Sequence, residues 1–364
     1  MKNKLLITSA LAGSLLAGGS ALAQTTITGD LAIVYSANSK DLSAGAGSTR
    51  GFGRESQLNV ANKGKLNNGL DYTASFGLEF DGRQLSNARG TETPSISNEN
   101  IAISIISGNT AFSVGADHMQ RGYGGAVPGV LNSIEVMRAA ASSVTYVVGA
   151  GTSESMGAGI TQKIPQLGLT ASALYVPRTK DVGTEDISAP SSFGSTNSSY
   201  EVTLAGADVF GVKGLGLIYS YNDMQKDDST YAGDVQGTTM GVSYNAGTFA
   251  VGVDRFINKN AVTTSSATNE SGNATTGREH ETTRFGVTFN VYPNLTLGAA
   301  SASTDSTGQT TTGKEKVNTV QLGYNLGPVA VQASVAKYEN LMSATGPTAN
   351  DDGKLAQIRL TTKF

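Results

Sequence analysis

The sequence predicts an all-β fold, a transmembrane antiparallel β-barrel of about sixteen strands. Three observations predict it: an export signal at the N-terminus, apolar and polar residues that alternate with a period of two, and connections that alternate between short turns and long polar loops. Alternation places successive side chains on opposite faces of a strand. A membrane barrel needs one apolar face toward lipid and allows a polar face toward water.

The N-terminus has the pattern of a secretory signal peptide. Two lysines precede the apolar stretch 5–16, and the small-x-small sequence Ala21-Leu22-Ala23 forms a cleavage site. We therefore expect a signal peptide at 1–23 and a single outer-membrane barrel domain at 24–364. No later stretch approaches the roughly 18 consecutive apolar residues that a membrane helix needs.

Composition favours the barrel over a soluble domain. The 364 residues include 45 Gly and no Cys, with 38% hydrophobic and 15% charged residues. That is lean for a soluble domain of this size, which buries a thick core, and the absence of Cys excludes disulfides. The formal charge of −3 becomes more negative once the signal lysines are removed, so nothing favours nucleic-acid binding.

The strands follow one another at regular intervals. Candidate strands lie near residues 26–37, 55–64, 70–80, 98–107, 110–117, one within 142–164, 168–176, 198–206, 213–222, 235–245, 248–256, 280–291, 295–302, 315–326, 328–338 and 354–364. The sixth strand has two alternatives, 143–148 and 156–164. The total is even, as in bacterial single-chain barrels.

The last strand shows the pattern most clearly. Ala356, Ile358, Leu360, Thr362 and Phe364 alternate with polar or charged residues, and the chain ends on the aromatic. A barrel requires this strand to pair with the first, because an unpaired edge is not tolerated in lipid.

Aromatic residues concentrate at the strand ends, as in the belts of membrane barrels. One group lies near the short turns or the C-terminus: Tyr72, Tyr244, Phe249, Phe289, Tyr324 and Phe364. The other lies near the long loops: Tyr35, Phe80, Tyr175, Tyr219, Tyr221, Phe256 and Phe285. A secreted β-sandwich or β-helix adhesin is the alternative fold.

About sixteen strands leave an aqueous lumen, which something must narrow if the pore is to sieve. The candidate is the segment 118–141 after the fifth strand, with the charged residues Asp117, Arg121, Glu135 and Arg138 in or beside it. Rings of charge at such a constriction set ion preference. An ordinary solvated outer loop is the alternative interpretation.

Several short motifs resemble the general porins of Gram-negative outer membranes. Ser56-Gln57-Leu58 with Leu66-Asn67-Asn68-Gly69-Leu70, the following Phe76-Gly77-Leu78-Glu79, and Arg138 before Ser143-Val144-Thr145-Tyr146 are similar to family motifs, as is the terminal Phe364. The resemblance implies a sixteen-stranded trimeric channel in which acidic residues of the third loop face basic wall residues. The sequence departs from that pattern at Gln57, where the family has a wall arginine.

The inward charges predicted by the alternation are Asp30, Asp71, Glu79, Glu201, Asp254, Arg284, Arg359 and Lys363. Acidic and basic residues are less segregated in this set than the resemblance implies, so we expect a weak cation preference.

These observations predict a water-filled outer-membrane porin, a homotrimer embedded in lipid, for passive diffusion of small hydrophilic solutes and ions. A structural or adhesive barrel with a closed pore is the alternative function. We expect neither an enzyme nor a cofactor or metal: both histidines, His118 and His280, lie in predicted loops, and the acidic runs near Asp223 and Asp351 lack a full calcium-loop pattern.

Overall fold

The computed structural model describes residues 23–38, 50–81, 97–116, 156–177, 198–225, 234–259, 279–307, 314–342 and 350–364. Sixteen strands run through these ranges in chain order: β1 Gln24–Asn38, β2 Arg50–Lys65, β3 Asp71–Asp81, β4 Ser97–Ser107, β5 Thr110–Gly115, β6 Gly157–Ile164, β7 Leu169–Val176, β8 Ser199–Gly206, β9 Leu215–Met224, β10 Val235–Asn245, β11 Phe249–Lys259, β12 Glu279–Tyr292, β13 Leu295–Thr307, β14 Glu315–Asn325, β15 Val329–Met342 and β16 Asn350–Lys363.

The strands form one closed antiparallel barrel in which each strand pairs with its sequence neighbours. The first and last strands close it, with Ile33 opposite Leu360. At the seam, the Gly29 amide donates to the Phe364 carbonyl at 2.8 Å, and the Phe364 amide donates to the Gly29 carbonyl at 2.9 Å. The predicted fold class is therefore confirmed, and the backbone groups of the last strand have partners on both sides.

The structure assigns the sixth strand to Gly157–Ile164. This strand pairs with β5 through Ser113 opposite Gly159 and with β7 through Thr161 opposite Ser172. Of the two alternatives, 156–164 is thus the correct one, whereas 143–148 lies outside the described residues.

Several strands extend further toward the long loops than predicted. β2 begins at Arg50 rather than near 55, β13 continues to Thr307, and β15 continues to Met342. The β13 extension, 303–307, consists of Ser, Thr and Asp, and the β2 extension, 50–54, consists of Arg, Gly and Phe, so neither carries the run of alternating apolar residues that marks a strand in lipid. These extensions are held in the sheet by backbone hydrogen bonds to a neighbouring strand, and such pairing cannot be predicted from composition.

The two faces of the wall differ as predicted. Outward residues such as Ile103, Val320 and Ile358 are half or more exposed, as apolar side chains facing lipid must be. The belts also contain direct ring contacts: Phe249 lies 6.4 Å from Tyr244 and 6.3 Å from Phe289 at the short-turn end, measured between ring centroids.

Phe256 is an exception, and its assignment to the outer aromatic belt was wrong. It pairs with Thr239 in the register and with Thr282 on the other side, both of which face inward, and it is 0% exposed. The period of two places Phe256 on the same face as Asp254, which faces inward. Its position near a long loop is therefore not enough to assign it to the outer aromatic belt.

Small residues allow close approach at the short-turn end. A Cβ added to Gly206 would lie 2.0 Å from the Gly168 carbonyl oxygen, and Gly168 itself has φ of 64°. The turn between β6 and β7 therefore packs directly against the end of β8. Neither single-turn 3₁₀ segment of the described chain, Pro165–Leu167 and Val209–Gly211, approaches a membrane-spanning helix in length or apolar character.

Candidate functional site: the inner wall of the barrel

The inner wall is built largely from small polar side chains that hydrogen-bond across strands. The Ser104 and Ser113 hydroxyls lie 2.7 Å apart, the Thr203 and Ser220 hydroxyls 2.9 Å apart. A third hydroxyl pair, Thr282 with Thr304 at 2.9 Å, links β12 to β13. These pairs satisfy the polar groups of the wall while leaving few bulky side chains to fill the lumen.

The register places all eight predicted wall charges on this inward face. Asp30 lies opposite Lys363, Asp254 opposite Arg284, and Glu201 opposite Asn222. Asp71 and Glu79 lie near opposite ends of β3, and Arg359 lies on β16. Several of these eight charges form ion pairs, so they do not act as separate charges on the wall.

Arg284 and Asp254 form a bidentate ion pair on adjacent strands. Arg284 Nε donates to Asp254 Oδ1 at 2.8 Å, and Arg284 Nη2 donates to Asp254 Oδ2 at 2.7 Å. The guanidinium also lies over the Phe256 ring, 4.5 Å from its centroid. The two charged side chains are 1% and 0% exposed, so this cluster is rigid and locally neutral.

Arg359 pairs with a residue that sequence reasoning missed. Its Nη2 lies 3.3 Å from Glu55 Oε2, across β1 from β16 to β2. Glu55 stands at the predicted start of β2, where no alternation precedes it to assign a face. The full strand from Arg50 places it opposite Ala32, which faces inward.

Three further inward lysines, also missed, lie near the short-turn end. Lys63 and Lys65 end β2, and Lys163 lies one residue before the end of β6. Lys65 pairs with Asp71 at 2.7 Å. Lys63 and Lys163 lie within the predicted strands 55–64 and 156–164, and Lys65 lies just beyond the first of them; the continuous register shows that all three face inward.

The inner wall also contains apolar side chains that were not predicted. Val317, Tyr338 and Leu355 face inward on β14, β15 and β16, and they are 1%, 0% and 6% exposed. The wall is therefore mixed on this side of the barrel, with a buried apolar area beside the Arg284 cluster.

The predicted constriction residues Asp117, Arg121, Glu135 and Arg138, together with the segment 118–141, lie outside the described residues. His118 also lies outside them.

Two residues expected in loops lie in strands instead. Asp223, in β9, faces outward and is only 7% exposed; it accepts hydrogen bonds from Tyr221 at 3.0 Å and Gln236 at 3.1 Å. His280 lies in β12. The described residues contain no group of three or more His, Cys, Asp or Glu residues that could hold a metal.

Charges on the outer face gather toward the long-loop end. Arg255 and Glu281 form an ion pair there, as do Lys259 and Glu279. Just before β14, a hydrogen bond to Asp305 raises the pKa of Lys314, which therefore stays protonated.

The family model for Gram-negative porins matches residues 8–343. The chain belongs to this family. A porin of sixteen strands encloses an aqueous channel. The porin described here is therefore an outer-membrane channel for passive diffusion, and its family and fold are those of channels rather than of enzymes.

Solved structures share the fold of this porin at low sequence identity. The anion-selective porin from Comamonas acidovorans is 14% identical with a TM-score of 0.65, and the match covers 94% of this chain and 100% of that one. The outer-membrane expressed OmpT of Vibrio cholerae is 13% identical with a TM-score of 0.56, covering 94% and 98%. A mutant Rh. blastica porin is 12% identical with a TM-score of 0.57, covering 94% and 100%. A search of curated proteins found no match.

Proposed function

We propose that this porin admits small hydrophilic solutes and ions down their gradients with little discrimination. The observation that carries the proposal is the closed sixteen-strand wall with hydroxyl-rich residues inside and apolar residues outside. Among the described residues, the wall carries hydroxyl groups and charges of both signs, so it presents no row of charge of a single sign to a passing solute. Sieving by size is then the main discrimination.

Proteoliposome swelling with sugars of increasing size tests this proposal. We expect swelling rates that fall steadily as the sugar becomes larger. Equal rates for all sugars would contradict a sieving pore. The absence of both swelling and stable single-channel conductance would favour the alternative, a structural or adhesive barrel with a closed pore.

We propose that the segment 118–141 folds inward and narrows the lumen, with Asp117, Arg121, Glu135 and Arg138 as its charged set. The support is the size of the barrel: sixteen strands leave an aqueous lumen that must be narrowed if the pore is to sieve, and this charged segment follows the fifth strand. Deleting the segment should increase single-channel conductance. Unchanged conductance would instead favour the alternative interpretation, an ordinary solvated outer loop.

We propose a homotrimer in the outer membrane of a Gram-negative bacterium, made after removal of the signal peptide 1–23. The tall apolar outer face of β1 and β3, with alternating residues from Ile27 to Tyr35 and from Tyr72 to Phe80, offers a surface to lipid or to a second copy. Native mass spectrometry in detergent tests the trimer. N-terminal sequencing of the exported protein tests the signal peptide and should begin at Gln24.

A further inference from the structure

The outer face of β2 carries two arginines at its long-loop end. Arg50 and Arg54 lie on the same face of the strand as Phe52, which stands between them. This face is the outer one, since Phe52 lies opposite the outward residue Tyr35 in the register. We propose that this strand end binds the phosphate-bearing headgroup of a membrane lipid. The inference does not depend on the proposed pore function.

The two arginines lie where the apolar band of the barrel ends. On β3, Tyr72 and Phe80 are eight residues apart, about 27 Å at 3.4 Å per residue, which is comparable with an apolar band about 25 Å tall between two aromatic belts. Phe80 pairs with Ser56, and Arg54 and Arg50 follow on the long-loop side of Ser56. Long loops mark the extracellular end of such a barrel, so both arginines lie at the depth of the extracellular headgroups.

Aromatic rings surround the arginines without using their hydrogen-bond donors. The Arg54 guanidinium carbon lies 5.6 Å from the centroid of the Phe80 ring. This contact occupies the face of the guanidinium and leaves its N–H donors, which lie in its plane, for an acceptor. Phe52 is 80% exposed, and its ring centroid lies 5.1 Å from that of Tyr35. Exposed aromatic rings suit the boundary between acyl chains and headgroups.

The charge on this surface is uncompensated within the described residues. Neither Arg50 nor Arg54 forms an ion pair there, although both are exposed, whereas Arg255 on the same outer face is paired with Glu281. Arginine matches the geometry of phosphate oxygens and binds them through two donors at once. Basic side chains beside a membrane surface attract anionic lipids. The surface is therefore complementary to a lipid phosphate.

A second copy of the chain is the other candidate to cover this surface, and it would have to supply carboxylates. Four carboxylates on the described outer face toward the long loops are already held in ion pairs with lysine or arginine: Glu279, Glu281, Asp305 and Glu339. A lipid phosphate needs no such exchange of partners. Charge complementarity thus favours the lipid headgroup over the second copy.

Quenching of a single tryptophan by brominated lipid measures binding at this surface. The chain contains no Trp, so Phe52→Trp places one fluorophore between the arginines. Phe112→Trp is the control reporter, on the outer face of β5 between Ile105 and Ile160. Each protein is reconstituted in dioleoyl phosphatidylcholine vesicles. Brominated phosphatidic acid or brominated phosphatidylcholine then replaces part of the lipid, and the quenching gives the relative association constant.

We expect the Phe52→Trp reporter to prefer phosphatidic acid about 30-fold, because each arginine near an anionic surface contributes about 5-fold. The preference should disappear in the double variant Arg50→Gln, Arg54→Gln and fall about 5-fold in each single variant. The matched control, Lys213→Gln with Lys316→Gln, removes the same charge from exposed positions outside β2 and should keep the preference.

The control reporter Phe112→Trp should be quenched equally by both lipids. Equal quenching at Phe52→Trp would overturn the inference, as would a preference that survives the double arginine variant. The mobility of the heat-modifiable band on gels verifies folding, and the single arginine variants supply the test if the double variant does not fold.

Two further measurements separate the other occupants. Inorganic phosphate that displaces brominated phosphatidic acid at equal concentration would overturn the lipid assignment in favour of a free anion. Native mass spectrometry in detergent tests the second copy. A trimer that dissociates on Arg50→Gln, Arg54→Gln would place the arginines at a contact between copies, whereas an unchanged oligomeric state agrees with the lipid site.

Discussion

Removing one partner of the Arg284–Asp254 ion pair should destabilise the barrel more than replacing both partners with apolar side chains. The perturbation is Asp254→Asn, which leaves the Arg284 guanidinium over Phe256 but takes away the carboxylate that accepts two of its hydrogen bonds. The comparison is the double variant Asp254→Leu, Arg284→Met, which replaces both charged groups with apolar side chains.

The magnitude follows from the burial and geometry of the pair. Two unit charges about 4 Å apart interact by about 4 kcal/mol at an effective dielectric constant of 20. With both side chains at most 1% exposed, water cannot replace the lost partner. Breaking such a pair costs about 3–5 kcal/mol, whereas replacing both partners is near neutral.

Denaturant unfolding in detergent micelles, followed by the loss of β-sheet circular dichroism, measures the difference. Asp254→Leu alone and Arg284→Met alone complete the cycle, and the coupling free energy is the unfolding free energy lost by the double variant minus the sum lost by these two single variants. A double variant that loses the full sum, measured from the native protein, would refute the reasoning, because the two side chains would then act independently.

Three further predictions use other parts of the wall. Gly206→Ala should lower the denaturant midpoint because its Cβ would lie 2.0 Å from a backbone oxygen, whereas Gly53→Ala, with no atom within 4 Å of the new Cβ, should not. Neutralising Asp117 and Glu135 should shift the reversal potential in a salt gradient toward anions; no shift would place them away from the pore. Removing the ring of Phe364, which covers a seam glycine, should reduce the fraction of heat-modifiable folded barrel on gels, and an unchanged fraction would show that the seam closes without it.

The fold could be predicted because every strand in lipid obeys the same local rule. Residues such as Leu360 and Ile358 must face lipid, and the period of two then assigns their neighbours to the lumen without any knowledge of the partners. Asn-rich and Gly-rich turns place the hairpins, so strand order followed directly. The sequence leaves two alternatives for the sixth strand because small residues such as Gly157 and Gly159 on its inner face weaken the alternation.

The candidate site was less predictable, since its properties depend on pairing. Nothing in the sequence near Arg359 indicates Glu55, which lies 304 residues away and meets it only through barrel closure. Asp223 is similar: it accepts hydrogen bonds from Tyr221 and from Gln236 of the next strand, so a residue typical of a loop is buried on the outer face of a strand. The face on which a residue lies follows from its own strand, whereas its ion-pair partner depends on which strands pair.

The described side chains of the inner wall are balanced in charge, and this limits what they can contribute to ion selectivity. The inward residues with described side chains include six acids and six bases: Asp30, Glu55, Asp71, Glu79, Glu201 and Asp254 against Lys63, Lys65, Lys163, Arg284, Arg359 and Lys363. A balanced set of charges gives no uniform preference for either ion. On the proposed constriction, ion preference depends on Asp117 and Glu135, and neutralising them tests this directly because the reversal potential in a salt gradient should then shift toward anions.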